Sequence, residues 1–145
     1  MQGRAGEVVG LGGLDGQGQR EFLLALFGVL RGTSGQILID GAPVNIGSPG
    51  IAKSPRIGMA LIPEDRKTEG LMLPMTVAEN LTFAAMDRVS RFGVVNRRAE
   101  QAEIDRIMRL LAVKSAGTSV PVNSLSGGNQ QKVVLSKWLF AGPDV

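Results

Sequence analysis

Apolar and polar positions change period several times along the chain, and each change marks an expected element. Val8, Val9 and Leu11 form one apolar run between Glu7 and Gly12, closed by glycines, which predicts a short buried strand. From Gln19 to Gly28 the period becomes helical, with Phe22, Leu23, Leu26 and Phe27 on one face and Gly28 as a natural stop. The stretch SGQILIDGAPV, Ser34 to Val44, alternates and turns at Asp40-Gly41, a hairpin signal. RIGMALIP, Arg56 to Pro63, predicts another strand, which Pro63 ends. The polar run EDRKTEG follows as a loop. Thr76 and Glu79 then have capping-box spacing and open a helix over TVAENLTFAAM. A second helix is expected from about Arg97 to Leu111, with Ile104, Ile107, Met108 and Leu111 on one side. VKSAGTSVPVNS reads as a loop. Ser126-Gly127-Gly128 then starts a helix that carries Val134, Trp138 and Ala141 on one side. The final GPDV resembles the entry to a further strand.

Composition narrows the function classes. The 145 residues suffice for one domain around a single core. A balance of 43% hydrophobic and 20% charged residues belongs to a globular chain rather than a disordered one. No apolar run approaches the roughly 18 residues that cross a bilayer. Cysteine is absent, which excludes disulfides and thiolate metal sites and suits a reducing compartment. Histidine is absent too, so a Ser-His triad, a histidine general base and most zinc sites are excluded. A net charge of +3 is small and scattered, and no nucleic-acid partner is expected from it.

The stretch GLDGQGQRE, Gly13 to Glu21, lies between the first expected strand and the first expected helix. A glycine-rich turn at such a junction is the usual cradle for nucleotide phosphates, and it normally ends in Gly-Lys-Ser or Gly-Lys-Thr. Here Gln19 and Arg20 follow Gly18. Replacing lysine by Gln19 exchanges a charge-assisted bond for a neutral one, a loss of about 1–2 kcal/mol or roughly five- to thirtyfold in affinity. Arg20 restores a positive charge in place of the magnesium-binding hydroxyl. Asp15 would repel a phosphate if it pointed inward. Gly13, Gly16 and Gly18 keep the backbone cradle, so weak binding is expected and hydrolysis is not. Alone, the turn is equally an ordinary strand-to-helix connection.

LSGGNQQKV, Leu125 to Val133, is the second glycine-led turn. Ser126 can cap a helix start, while Gly127 and Gly128 let the backbone approach a ligand. First-turn N–H groups and the helix dipole make such a start an anion site. Alone, it too is an ordinary capped helix. The stretch nevertheless resembles the signature loop of ABC-type ATPases, LSGGQ followed by Gln and a basic residue. Gln131 and Lys132 fit, and Asn129 stands where glutamine is commonest. LSGGNQQK is most similar to the ATPase subunits of bacterial monosaccharide importers of the ribose, galactose and xylose type. IPEDRKTEGL, Ile62 to Leu71, resembles the second nucleotide-binding half of those subunits. The loop lacking Gly-Lys-Ser/Thr resembles that half as well. The motifs run from about Gly6 to Asp144 in the family's order.

The resemblance implies an α/β fold, a partial P-loop ABC ATPase domain with an incomplete RecA-like core and a helical subdomain. Residues 1–63 would form the front of the core, 64–124 a loop and helical subdomain, and 125–145 the signature loop and helix. It implies truncation, because the family's magnesium-holding Asp-Glu strand and switch histidine would follow Val145. Core strands missing between the 7–12 and 56–62 segments would leave exposed edges, so self-association is expected. The implied cofactors are ATP and Mg²⁺, both weak or absent in this chain, with no catalytic residue of its own. Gly13, Gly16, Gly18, Gln19 and Arg20 would form a degenerate phosphate loop. Ser126, Gly127, Gly128 and Asn129 would complete the ATP site of the companion half. Glu64 sits where ABC domains carry a glutamine that touches magnesium and signals to the membrane subunit, which implies coupling. As residue chemistry alone it is a charged loop position. Asp65, Arg66 and Lys67 are expected on the surface, facing a partner. Residues 76–111 would dock transmembrane permease subunits, placing the protein in the cytoplasm against the inner face of the plasma membrane. The rival readings are a non-catalytic interaction or regulatory module and a soluble ABC ATPase acting on nucleic acid.

Overall fold

The computed structural model describes residues 1–91 and 94–145. They form two compact units, Met1–Ala52 and Lys53–Val145. In the first unit, helix α1 (Gln19–Leu26) is followed by an antiparallel hairpin of β1 (Ile37–Ile39) and β2 (Ala42–Val44) and by the short helix α2 (Pro49–Ala52). Ile37 faces Val44 and Ile39 faces Ala42 in this ladder. Asp40 and Gly41 both take positive φ, 51° and 77°, the paired left-handed geometry that lets a two-residue turn follow the strand twist. Gly28 ends α1 as its spacing predicts. Val29 N–H reaches Leu24 O at 2.9 Å and Gly28 N–H reaches Ala25 O at 3.0 Å, a Schellman closure around a residue with φ of 75°. Of the predicted α1 face, Phe27 is buried and Leu26 half-buried, whereas Phe22 and Leu23 are exposed.

The expected strand over 7–12 does not form. Val8 is 97% exposed, and Val9 and Leu11 are exposed as well. An extended segment becomes a strand only when a neighbour takes up its N–H and C=O groups, and apolar content cannot substitute for that neighbour.

The second unit holds the larger core. Helices α3 (Val77–Thr82), α4 (Met86–Val89), α5 (Arg97–Leu110) and α6 (Gly127–Ala141) surround Leu81, Ile104, Ile107, Val122, Val133, Val134 and Phe140, all buried. β3 (Ser90–Arg91) and β4 (Val94–Val95) make a second small antiparallel hairpin. Thr76 caps α3 through Glu79 N–H and Glu79 returns the bond to Thr76 N–H, the reciprocal box that the spacing predicts. Behind that cap, buried Asn80 accepts from Met72 N–H at 2.8 Å and donates to the carbonyls of Met72, Met75 and Thr76. It pins the 72–76 segment to the helix. The 118–123 segment docks beside it, with Val77 N–H on Val120 O at 3.0 Å and Val122 N–H on Met75 O at 3.0 Å.

Two further expectations change here. The 56–63 segment makes no regular strand. Its backbone does bond to the end of the chain, Ala60 N–H to Val145 O at 3.0 Å and Asp144 N–H to Gly58 O at 2.7 Å. Within GPDV, Gly142 is the left-handed cap that ends α6 and only Asp144 and Val145 bond to the 58–60 backbone, so no strand forms there. The predicted loop EDRKTEG winds into a single π turn over Arg66–Gly70, started by Asp65, whose carboxylate accepts from Lys67 N–H at 2.8 Å. That bond holds the Asp65 carboxyl below its usual range. The described residues thus form a mixed fold of helices and two small antiparallel sheets, and they do not assemble the parallel core of the expected α/β domain.

Candidate functional site

The first glycine-led turn lies entirely in the Met1–Ala52 unit. Gly16 and Gly18 adopt φ of 76° and 97°, left-handed values that an L side chain rarely tolerates, and Gly18 leads directly into α1. The chain therefore bends where the phosphate-loop pattern requires it. The contents of the bend are less expected. Leu14 N–H donates to Gln17 Oε1 at 3.1 Å, and Gln17 N–H returns to Leu14 O at 3.3 Å. Gln19 Nε2 also donates to Leu14 O at 3.3 Å. A Cβ on Gly13 would collide with Gln19 Nε2, so that carboxamide lies over the first glycine of the loop. Gln19 is half-buried, whereas Arg20 and Asp15 are exposed. A hollow of about 350 Å³ opens beside the turn, lined by Gly10, Gly12, Gln17, Gly18, Gln19 and Phe22 among others. That volume is at the small end of ligand pockets. The loop has no hydroxyl, and its one carboxylate is that of Asp15. These residues do not fit a magnesium ion, and among the described residues no group of three carboxylates or other ligands is placed to hold a metal.

The second turn belongs to the Lys53–Val145 unit. Ser126, Gly127 and Gly128 are exposed at the start of the 15-residue helix α6. The expected serine cap is absent. Ser126 Oγ instead accepts from Asn129 Nδ2 at 3.0 Å, and the serine makes no cap bond to the first-turn N–H groups. Asn129 sits one turn along α6, where its carboxamide is within reach of the hydroxyl. Asn129 Oδ1 in turn accepts from Lys114 N–H at 2.8 Å. Lys132 donates to Ala112 O at 2.8 Å, beyond the end of α5. Buried Gln130 donates to Val122 O at 3.3 Å and to Leu125 O at 3.1 Å. The helix start is thus braced from behind while its leading N–H groups remain open, an arrangement suited to an anion.

Glu64 is exposed, just before the π turn, in the same unit as the second glycine turn. Asp65 and Lys67 are exposed as expected. Arg66 differs. It is half-buried, its Nε is buried without a hydrogen-bond partner, and its guanidinium lies 3.0 Å from where a Cβ on Gly127 would stand. The EDRK stretch and the second glycine turn therefore meet, which spacing in the sequence does not reveal. Lys137, on α6, donates to Gly70 O at 2.6 Å and ties the far side of the π turn to the same helix. Burial lowers its ammonium pKa below the usual lysine value, and the charge of Lys53 adds to that. Asn80, Gln130 and Gln17 were all missed by sequence reasoning. Each is a carboxamide whose partners are backbone groups, and residue type alone carries no signal of that.

Both turns occur in one chain, and the ABC transporter family matches it over residues 1–145. The chain belongs to the ABC transporter family. Its relatives sharpen the comparison. It is 70% identical over 142 residues to the ribose import ATP-binding protein RbsA 1 of Mesorhizobium japonicum, covering 98% of this chain and 28% of that protein. The ribose import ATP-binding protein RbsA 2 of Escherichia coli O157:H7 is 42% identical, with the same coverage of 98% and 28%. The xylose import ATP-binding protein XylG of Pseudomonas syringae pv. tomato is 42% identical over 143 residues, 98% of this chain and 27% of that protein. The chain spans just over a quarter of the length of these curated relatives. The resemblance read from LSGGNQQK is thereby borne out at the level of the family. No helix among the described residues is long and apolar enough to cross a membrane.

Proposed function

We propose that this ABC transporter chain is part of the ATP-binding subunit of an importer of simple sugars, as its relatives' names suggest. In this reading it is the second nucleotide-binding half. Ser126, with the N–H groups of Gly127 and Gly128, contacts the terminal phosphate of ATP held by the companion half, and Asn129 keeps the serine in place. The 13–20 loop is degenerate and contributes no hydrolysis. Glu64 and residues 76–111 couple the site to permease subunits in the membrane, and the subunit works from the cytoplasmic face. ATP and Mg²⁺ act at the shared site, with the metal held by residues other than those of this loop.

The observation that carries the reading is the start of α6. It is exposed, led by two glycines, braced from behind, and open at its first-turn N–H groups. The test is Ser126→Arg in the full-length subunit. Transport-coupled ATPase activity should fall by about 10²–10³, the scale for a lost transition-state donor. Wild-type activity in that variant overturns the reading. Exposed Val8, Val9, Leu11 and Leu14 also support self-association of the 145-residue chain, read by sedimentation; a monodisperse monomer at high concentration refutes it.

A further inference from the structure

Loss of a lysine explains only part of how the first glycine turn is set. A phosphate cradle works through backbone N–H groups that are free to turn toward the anion. Here Leu14 N–H is already taken by Gln17 Oε1, and Leu14 O is held by both Gln17 N–H and Gln19 Nε2. Both carboxamides converge on Gly13, where a Cβ would touch Gln19 Nε2 and stand 3.1 Å from Gln17 Oε1. The side of Gly13 where a Cβ would stand is therefore filled by its own side-chain neighbours. The hollow of about 350 Å³ beside the loop is lined by the same two glutamines.

We propose that Gln17 and Gln19 latch the loop shut, so that Gln17 determines how tightly the loop takes a triphosphate. This rests on reading 13–20 as a phosphate-loop descendant. A site that must open before it binds has its affinity reduced by the fraction of time it is open. The latch is reversible, because its bonds are exposed and each is of ordinary length. Gln17 thus sets affinity from outside the positions normally occupied by lysine and hydroxyl.

The test is titration of the 145-residue chain with ATP, followed through the amide signals of Leu14, Gly16 and Gly18. Gln17→Ala should tighten ATP binding about fivefold, the ratio that about 1 kcal/mol for one hydrogen bond gives. Gln17→Glu keeps the acceptor and should give no gain. Gln17→Ala/Gln19→Lys should bind tighter still. A gain in binding cannot arise from misfolding, which makes the first outcome decisive. If Gln17→Ala leaves the dissociation constant unchanged or raises it while the double variant binds, the latch is wrong and the phosphate-loop reading stands. If no variant moves these amides at millimolar ATP, the phosphate-loop reading fails and the latch falls with it.

Discussion

In the turn from Gly13 to Arg20, the carboxamides of Gln17 and Gln19 bond to Leu14 of the same turn. In the turn from Ser126 to Gln130, Asn129 also bonds to Ser126 of its own turn, but its oxygen and the Gln130 carboxamide reach back to Lys114, Val122 and Leu125. Both turns are led by glycines and rich in amide side chains. One consumes its own backbone groups, while the other fastens the segments around it and leaves its helix start open. Glycine content fixes where a chain can bend, whereas the partners of nearby carboxamides fix which backbone groups around the bend are already bonded.

The largest expected contrast is in stability. Gln130→Ala strips a donor from two carbonyls in a buried setting and should cost about 2–3 kcal/mol in urea unfolding of the 145-residue chain. Gln17→Ala acts on exposed bonds and should stay within about 1 kcal/mol while changing ATP binding instead. Equal destabilisation by the two would erase the distinction between a brace and a latch.

Gly28→Ala probes the unit that carries the first turn. A Cβ there would stand 2.8 Å from Ser48 N and 2.9 Å from Ile46 O, on a residue with φ of 75°. Neither backbone group yields cheaply, and a cost of about 1–3 kcal/mol is expected, read by thermal melting. A smaller effect is expected at the α3 cap, where Thr76→Ala should cost about 1 kcal/mol. The smallest is a pH effect at the same cap. Thr76 N–H, then its hydroxyl, holds the Glu79 carboxyl below its ordinary 4.5. Folding therefore favours the charged form. Its contribution is present above that value and is lost as pH falls through the lowered folded one. Glu79→Gln should flatten the acid limb of the stability profile, measured by urea midpoints; an unchanged limb would detach the cap from the carboxylate's charge.

Much of the helical structure was legible in the sequence. α1, α5 and α6 lie where they were expected, and the Asp40-Gly41 hairpin and the Thr76–Glu79 box formed as their spacing predicts, whereas the helix expected over TVAENLTFAAM stops at Thr82 and gives way to a 3₁₀ turn over Phe83–Ala85. The positions of both glycine turns were equally legible. The failure of the 7–12 segment to form a strand was not, nor were the π turn at Arg66–Gly70, the bond between Ser126 and Asn129, and the approach of Arg66 to Gly127.

By itself the sequence determined what depends on residues within about one helical turn of each other: apolar faces, caps, the two-residue turn and the glycine bends. Tertiary structure alone decided which extended segment found a backbone neighbour, and which backbone groups the buried amides of Asn80 and Gln130 reached. A carboxamide offers donors and an acceptor to any group within reach, so its partner is set by three-dimensional proximity rather than by order along the chain.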